Sequence, residues 1–414
     1  MAIGFWQIRQ TLTPLDLNFG TSTVFTLADI LMSCINLVRL SFATTHRLAV
    51  MKGKTLAIEQ HNALIDLQIK AEFITGQDIE LILKRCQQIR RLVMNTDDEP
   101  VFDVINNHAP NLENLGYNSS FAIEDLNKNE IQKTKGMQVL YTNNSGHRVS
   151  PRLILPLICK NGATLRKLYA NVSPVTESEL QNLYSTYPNF RLANIKTLAT
   201  WITAGIQKFM LRSIRGTATL TDLTVTDVDD LDALAKELLT LPPVSTIRMN
   251  HINGNMGKPS LTRLFEQYAR TAQTSHQSLK YSALRYCNSI TNDLLSALAE
   301  INTLHNIKLC GLKNVSTDGI INMVNKSSNQ LTYLEFEDMG SVTDNVILVF
   351  GGFKKLNYIG LKNLRNVTGQ GIHGLLDTME PHILTKLVVK NCPKINNECI
   401  VDARQKIDVV EHNQ

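Results

Sequence analysis

Residue types that can do chemistry are plentiful in this chain, but their spacing does not build a reaction centre. Ten histidines occur, among them His46, His147, His251 and His373, and none stands in H-x-x-x-H or H-E-x-x-H spacing. A zinc hydrolase of that type needs two imidazoles on one helix face. No G-x-S-x-G turn and no Cys-His signature offers a nucleophile beside its base. Seven cysteines without a C-x-x-C pair form neither a zinc site nor a disulfide framework. They read as small buried hydrophobes in a reducing compartment, the cytoplasm or nucleus. The acidic runs TDDEP (96–100) and DVDDLD (227–232) lack calcium-loop spacing and suit helix N-termini. The stretch NGNMGKP (253–259) lacks the pattern of a phosphate-binding loop and reads as a flexible surface loop that a partner could contact. No catalytic residue, metal or cofactor is expected, and the chain reads as a non-enzyme.

Composition narrows the partners. The chain has 414 residues, 43% hydrophobic and 19% charged, with a formal net charge of +5, which describes a foldable protein with no electrostatic case for nucleic acid. Residues 1–11, MAIGFWQIRQT, lack the features of a secretory signal, and no window approaches the roughly 18 apolar residues of a membrane helix. Neither export nor a membrane is expected. The N-x-S/T triplets at Asn118, Asn143, Asn171, Asn314, Asn325 and Asn366 are then chance products of an Asn- and Ser-rich chain.

The elements that must position any functional side chain follow from a repeat. The pattern L-x-x-L-x-L-x-x-N/C can be laid on the chain from Leu12, Leu37, Leu64, Ile89, Leu112, Met137, Leu165, Phe190, Leu220, Val244, Leu279, Leu304, Leu331, Leu356 and Leu384, at spacings of 23 to 35 residues. That is the period of leucine-rich repeats. The fourth and sixth positions point inward from a short strand, and an apolar run of helical period follows, as in TNDLLSALAEI with Leu294, Leu295 and Leu298. Thr75, Thr291, Thr317, Thr343 and Thr368 stand where an N-cap hydroxyl is wanted. The expected fold class is α/β: a leucine-rich-repeat solenoid, or horseshoe, of about 15 strand-turn-helix repeats with a parallel sheet on the concave face. It spans 12–406, after a short cap or the remnant of a lost module at 1–11 and before a C-terminal cap and tail at 407–414. Repeat eight, FRLANIKTL, fits least well, because Ala193 must take an apolar position. Cys287 and Cys392 fall at the ninth position, Cys34 and Cys86 end helices, and Cys310 is expected to face outward.

The phrase CNSITNDLLSALAEINTLHNIKL (287–309), echoed in MGSVTDNVILVF, NLRNVTGQGIHGLL and CPKINNECIVDA, resembles the cysteine-containing leucine-rich repeat of F-box ubiquitin-ligase receptors. The resemblance is clearest over 279–402 and weaker from 12 to 278. It implies substrate recognition for a Skp1–cullin–F-box ligase, in which an F-box binds a Skp1-type adaptor and the repeats bind the protein to be ubiquitinated. The first repeat mark at Leu12 leaves no room for an F-box. A ubiquitin-independent scaffold or inhibitor that uses the same repeats is the alternative.

Register places the side chains that could meet a protein partner, at the third, fifth and seventh positions of each repeat. Fifteen strands about 4.8 Å apart give a face about 70 Å long, which is the size of a protein surface. Tyr141 and Tyr169 share the fifth position beside an Asn column of Asn95, Asn118, Asn143 and Asn171. Tyr281, Tyr333 and Tyr358 share the third position, with Arg285, Lys308, Lys362, Lys386 and Lys390 alongside. Tyr and Arg are enriched in interface hot spots. The basic group, interrupted by Glu335 and Glu337, suits an acidic or phosphorylated segment.

Overall fold

In the computed structural model the described residues are 13–19, 26–44, 60–71, 74–96, 98–118, 135–142, 148–201, 206–228, 230–252, 258–272, 278–327 and 330–413. The first eleven residues, Leu12, His46, Asn143, His147 and most of the NGNMGKP loop lie outside them. Among the described residues the strands within each unit pair in parallel with their neighbours, and a helix stands between most successive strands. The fold is an α/β solenoid of the leucine-rich-repeat type. Two compact units make up the chain, Met1–Thr200 with Arg212–Thr219, and Trp201–Leu211 with Leu220–Gln414. No helix among the described residues is long and apolar enough to cross a membrane.

The first unit carries β1 (Pro14–Phe19), β2 (Arg39–Thr44), β3 (Asp66–Ala71), β4 (Arg91–Asn95), β5 (Asn114–Tyr117), β6 (Val139–Thr142), β7 (Lys167–Ala170) and β8 (Thr197–Trp201), each beside the next. Its helices include α1 (Leu27–Ser33), α2 (Gly76–Arg85), α3 (Val101–His108), α4 (Pro151–Lys160) and α5 (Glu177–Thr186). Thr26, Thr75 and Thr176 close full capping boxes with Asp29, Asp78 and Glu179. The TDDEP carboxylates serve neighbouring helix starts: Asp98 accepts the Gly76 N–H and Glu99 the Ser150 N–H. Strand β8 corrects the register of repeat eight. Its mark is Ile195, five residues after Phe190, because Leu192 and Ile195 are both fully buried while Ala193 is exposed.

The second unit carries β9 (Asp222–Thr226), β10 (Thr246–Asn250), β11 (Tyr281–Arg285), β12 (Asn306–Cys310), β13 (Tyr333–Glu337), β14 (Tyr358–Lys362), β15 (Lys386–Lys390) and β16 (Val409–Asn413). Strand β16 forms from residues expected as cap and tail, and pairs in parallel with β15. Helix α6 (Ile206–Ile214) precedes α7 (Leu231–Leu238), which starts on an Asp230 side-chain cap as the DVDDLD run suggests. Then come α8 (Lys258–Thr271), α9 (Asn292–Ala299), α10 (Thr317–Ser327), α11 (Asp344–Val349), α12 (Gly369–Thr378) and α13 (Asn397–Lys406). Leu334 with Phe336, Ile359 with Leu361, and Leu387 with Val389 fill the fourth and sixth positions and are fully buried. Behind them lie Ile290, Val315, Val342, Val367 and Ile395, the apolar residues before each helix.

Of the expected caps here, Thr368 bonds the Gln370 N–H, whereas Thr291 and Thr343 make no side-chain cap bond. Thr317 is not a cap: it begins α10, and Ser316 accepts the Gly319 N–H. The caps are instead tied between repeats, since Asp344 accepts both the Thr368 N–H and hydroxyl, and Asn292 accepts the Ser316 N–H. Gly319 and Gly371 make this possible, because a Cβ at either would lie within 2.4 Å of the Asn292 or Asp344 side-chain oxygen.

After each strand from β9 to β15, one residue takes the left-handed conformation: Asp227, His251, Tyr286, Gly311, Asp338, Asn363 and Asn391, with φ between 51° and 61°. Each donates its N–H to the last strand residue of the next repeat, at 2.7 to 3.1 Å. Asn, Asp and Gly tolerate this conformation, and five of the seven are of those types. At the ninth position Cys287 donates to the carbonyls of Met249 and Arg285, and Cys392 to those of Leu361 and Lys390. Cys310 departs from expectation: it is fully buried, and the Tyr286 hydroxyl bonds it. Burial pushes the Cys86 and Cys159 thiols up to about 12, which leaves them protonated and unreactive.

Candidate protein-binding face

The side of β11–β16 that bears the third, fifth and seventh residues gathers eight of the ten expected residues. Parallel register aligns Tyr281, Asn306, Tyr333, Tyr358, Lys386 and Val409 as one row, and Arg285, Cys310, Glu337, Lys362, Lys390 and Asn413 as another. Between them, Glu335 is the hub. Its side chain is only 2% exposed, and it receives bonds from Lys308 on β12, Lys362 on β14 at 2.8 Å, and the Tyr333 hydroxyl at 2.5 Å. Gly360 leaves room for it, since a Cβ there would come within 2.8 Å of Glu335 Cγ. Burial raises the Glu335 carboxyl, but the bonds from Lys308, Lys362 and Tyr333 outweigh it and bring it down to about 2. Burial and the neighbouring carboxylate push the Tyr333 hydroxyl well up, so it stays a donor.

The Tyr333 and Tyr358 rings stack at 4.0 Å and 9°. Glu337 takes Arg285 at 3.0 Å and Lys308 at 3.4 Å; it too sits below the usual carboxylate range, because those two cations outweigh its burial. Glu411 on β16 takes Lys386 at 2.5 Å and Lys390 at 3.7 Å. Tyr281 lies under Arg248, whose guanidinium is 4.7 Å from the ring centre. At the end of the strands His251 stacks on Tyr286 at 5.0 Å.

In the first unit Tyr141 and Tyr169 meet across β6 and β7, with centroids 4.7 Å apart and tilted by 35°. The Asn column does not act as one display. Asn118 bridges the N–H and carbonyl of Thr96, and Asn171 is 3% exposed. Val93, Asn114 and Gly116, the open-face residues beside them, are buried as well.

Sequence reasoning named Glu335 and Glu337 only as interruptions, and it missed Glu411, Arg248 and, in the first unit, Asp66. Asp66 is 3% exposed and binds Arg39 at 3.1 Å and also Arg91. All five lie at third, fifth or seventh positions, so a search of the register for opposite charges on adjacent strands would have found most of them. Among the described residues no group of three His, Cys, Asp or Glu is placed to hold a metal. What the face offers is aromatic area, fixed cations and hydrogen-bond groups.

No family model matches the chain, and no curated protein matches it. Many solved structures are similar to it, among them the following two. A crystal structure of the Rad7 and Elc1 complex in yeast aligns at 16% identity and a TM-score of 0.44, over 85% of this chain and 80% of that one. An internalin from Listeria monocytogenes aligns at 15% identity and a TM-score of 0.43, over 98% of this chain and 88% of that one.

Proposed function

We propose that the chain is a non-enzymatic binding module that takes a protein across the open face of β11–β16, and that it recognises substrate for a Skp1–cullin–F-box ubiquitin ligase in the cytoplasm or nucleus. The observation that carries the binding half is the set of side chains on that face. Five adjacent strands, β11–β15, present Tyr, Lys and Arg side chains whose positions are fixed by ion pairs, some of them to Glu411 on β16, and by ring stacking, so little rotamer entropy is lost on binding. The ligase half is supported by the repeat subtype. Its marker residues, Cys287, Cys392 and the apolar residue before each helix, occupy equivalent buried places in the second unit. Co-purification with a Skp1-type adaptor, with mass spectrometry of the retained proteins, tests both halves. Adaptor capture supports the ligase role. Protein capture without the adaptor leaves a ubiquitin-independent scaffold or inhibitor, and no specific capture removes the proposal.

A further inference from the structure

The cations on the open face of the second unit are not equivalent, and the difference names a partner chemistry. Lys308 is 16% exposed and shared between Glu335 and Glu337, and Lys362 is 24% exposed and bound to Glu335. Both are committed to the hub. Lys386 and Lys390, 37% and 43% exposed, share one carboxylate, Glu411, which is itself 43% exposed. The Glu335 carboxylate, 2% exposed, lies beneath its two lysines, so at the hub solvent meets mainly the positive ends. Over the third, fifth and seventh positions of β11–β16, five cations (Arg285, Lys308, Lys362, Lys386, Lys390) face three carboxylates (Glu335, Glu337, Glu411), an excess of two positive charges.

Building on the binding role above, we infer that Lys386 and Lys390 are the docking pair for an acidic segment of the partner protein, and that Glu411 occupies them as an internal stand-in for the partner's carboxylate. A single exposed carboxylate bridging two half-exposed lysines is weakly held and screened by salt, so an incoming Asp or Glu side chain can replace it. The strand position of Glu411, beside Val388 on β15, keeps it within reach of both lysines when no partner is bound. Partner affinity is then set by competition with a group of the chain's own.

The test uses the full chain and a fluorescein-labelled ten-residue oligoglutamate peptide, followed by anisotropy at low salt, with an oligoserine peptide as the neutral control. Glu411→Gln should tighten oligoglutamate binding by about two- to fivefold, the size of one exposed charge pair. Glu380→Gln makes the same change in net charge at an exposed carboxylate outside the sheet and should leave it unchanged. Lys386→Ala with Lys390→Ala should abolish binding. Equal tightening by Glu411→Gln and Glu380→Gln, binding that survives loss of both lysines, or no binding at all overturns the inference. The inference can fail while the broader role stands: proteins retained from extract and lost in Tyr333→Ala with Tyr358→Ala, yet indifferent to the lysine variant, would keep the face as a binding surface and remove the acidic partner.

Discussion

Asp66 in the first unit and Glu335 in the second solve the same problem in different ways. Each is a buried carboxylate on the open side of a parallel sheet, held by cations from the strand on either side. Asp66 is short, sits at a third position and binds Arg39 and Arg91, with one of its oxygens left without a partner. Glu335 is longer, sits at the centre of its strand, and has both oxygens bonded, one to two lysines and the other to tyrosine hydroxyls. Beside Asp66 the open-face residue Val93 and, one strand further, Asn114 are buried although Arg39 and Lys70 are exposed, whereas around Glu335 two stacked, half-buried tyrosines stand within a row of cations. An ion pair on a sheet face therefore says little about function by itself. What it holds up, and whether that reaches solvent, decides.

Both hubs depend on the same strand register, and core truncation tests that register with the largest effect. Leu334→Ala or Leu387→Ala should cost about 2–5 kcal/mol in urea melts. The hubs come next. Glu335→Ala strands two poorly exposed lysines and should cost about 2–3 kcal/mol, while Asp66→Ala should cost about 1–2 kcal/mol because Arg39 is 48% exposed. Equal losses would show that the two hubs do the same structural work. Acid sharpens the contrast. With its carboxyl at about 2 in the folded chain against an ordinary 4.5, Glu335 stabilises fully above about pH 4.5 and loses that contribution as pH falls towards 2. The stability gap between wild type and Glu335→Gln should close over that interval. The smallest effect is Lys390→Ala, which should stay within about 0.5 kcal/mol, since its one ion pair is long and exposed.

Much of this was legible in the sequence because leucine-type residues recur at the buried first, fourth and sixth positions, and side chains on a strand alternate. Fourteen of the fifteen repeat marks stand two residues before a strand. Repeat eight failed because Ile195, the buried first residue, also fits the sixth position of a register that starts at Phe190. Strand β16 was hidden by His412, a polar residue in the sixth place, and with it went Glu411. Cys310 could not be read, because the residue that bonds it, Tyr286, is itself a left-handed turn residue. Tyrosine there breaks the Asn, Asp or Gly preference, so nothing local announced it. The eight site residues of the second unit came from register alone, but their pairing depends on side-chain length and rotamer, which a spacing rule does not contain.

The most direct measurement is capture from cell extract, quantified by mass spectrometry, with wild type and two variants: Tyr358→Ala with Lys390→Ala in the second unit, and Tyr141→Ala with Tyr169→Ala in the first. The expected result is that proteins retained by wild type are lost from the second-unit variant and kept by the first-unit variant, with both still folded by circular dichroism. Retention that survives in the second-unit variant and disappears from the first-unit variant would contradict the account and move the binding face to β6 and β7.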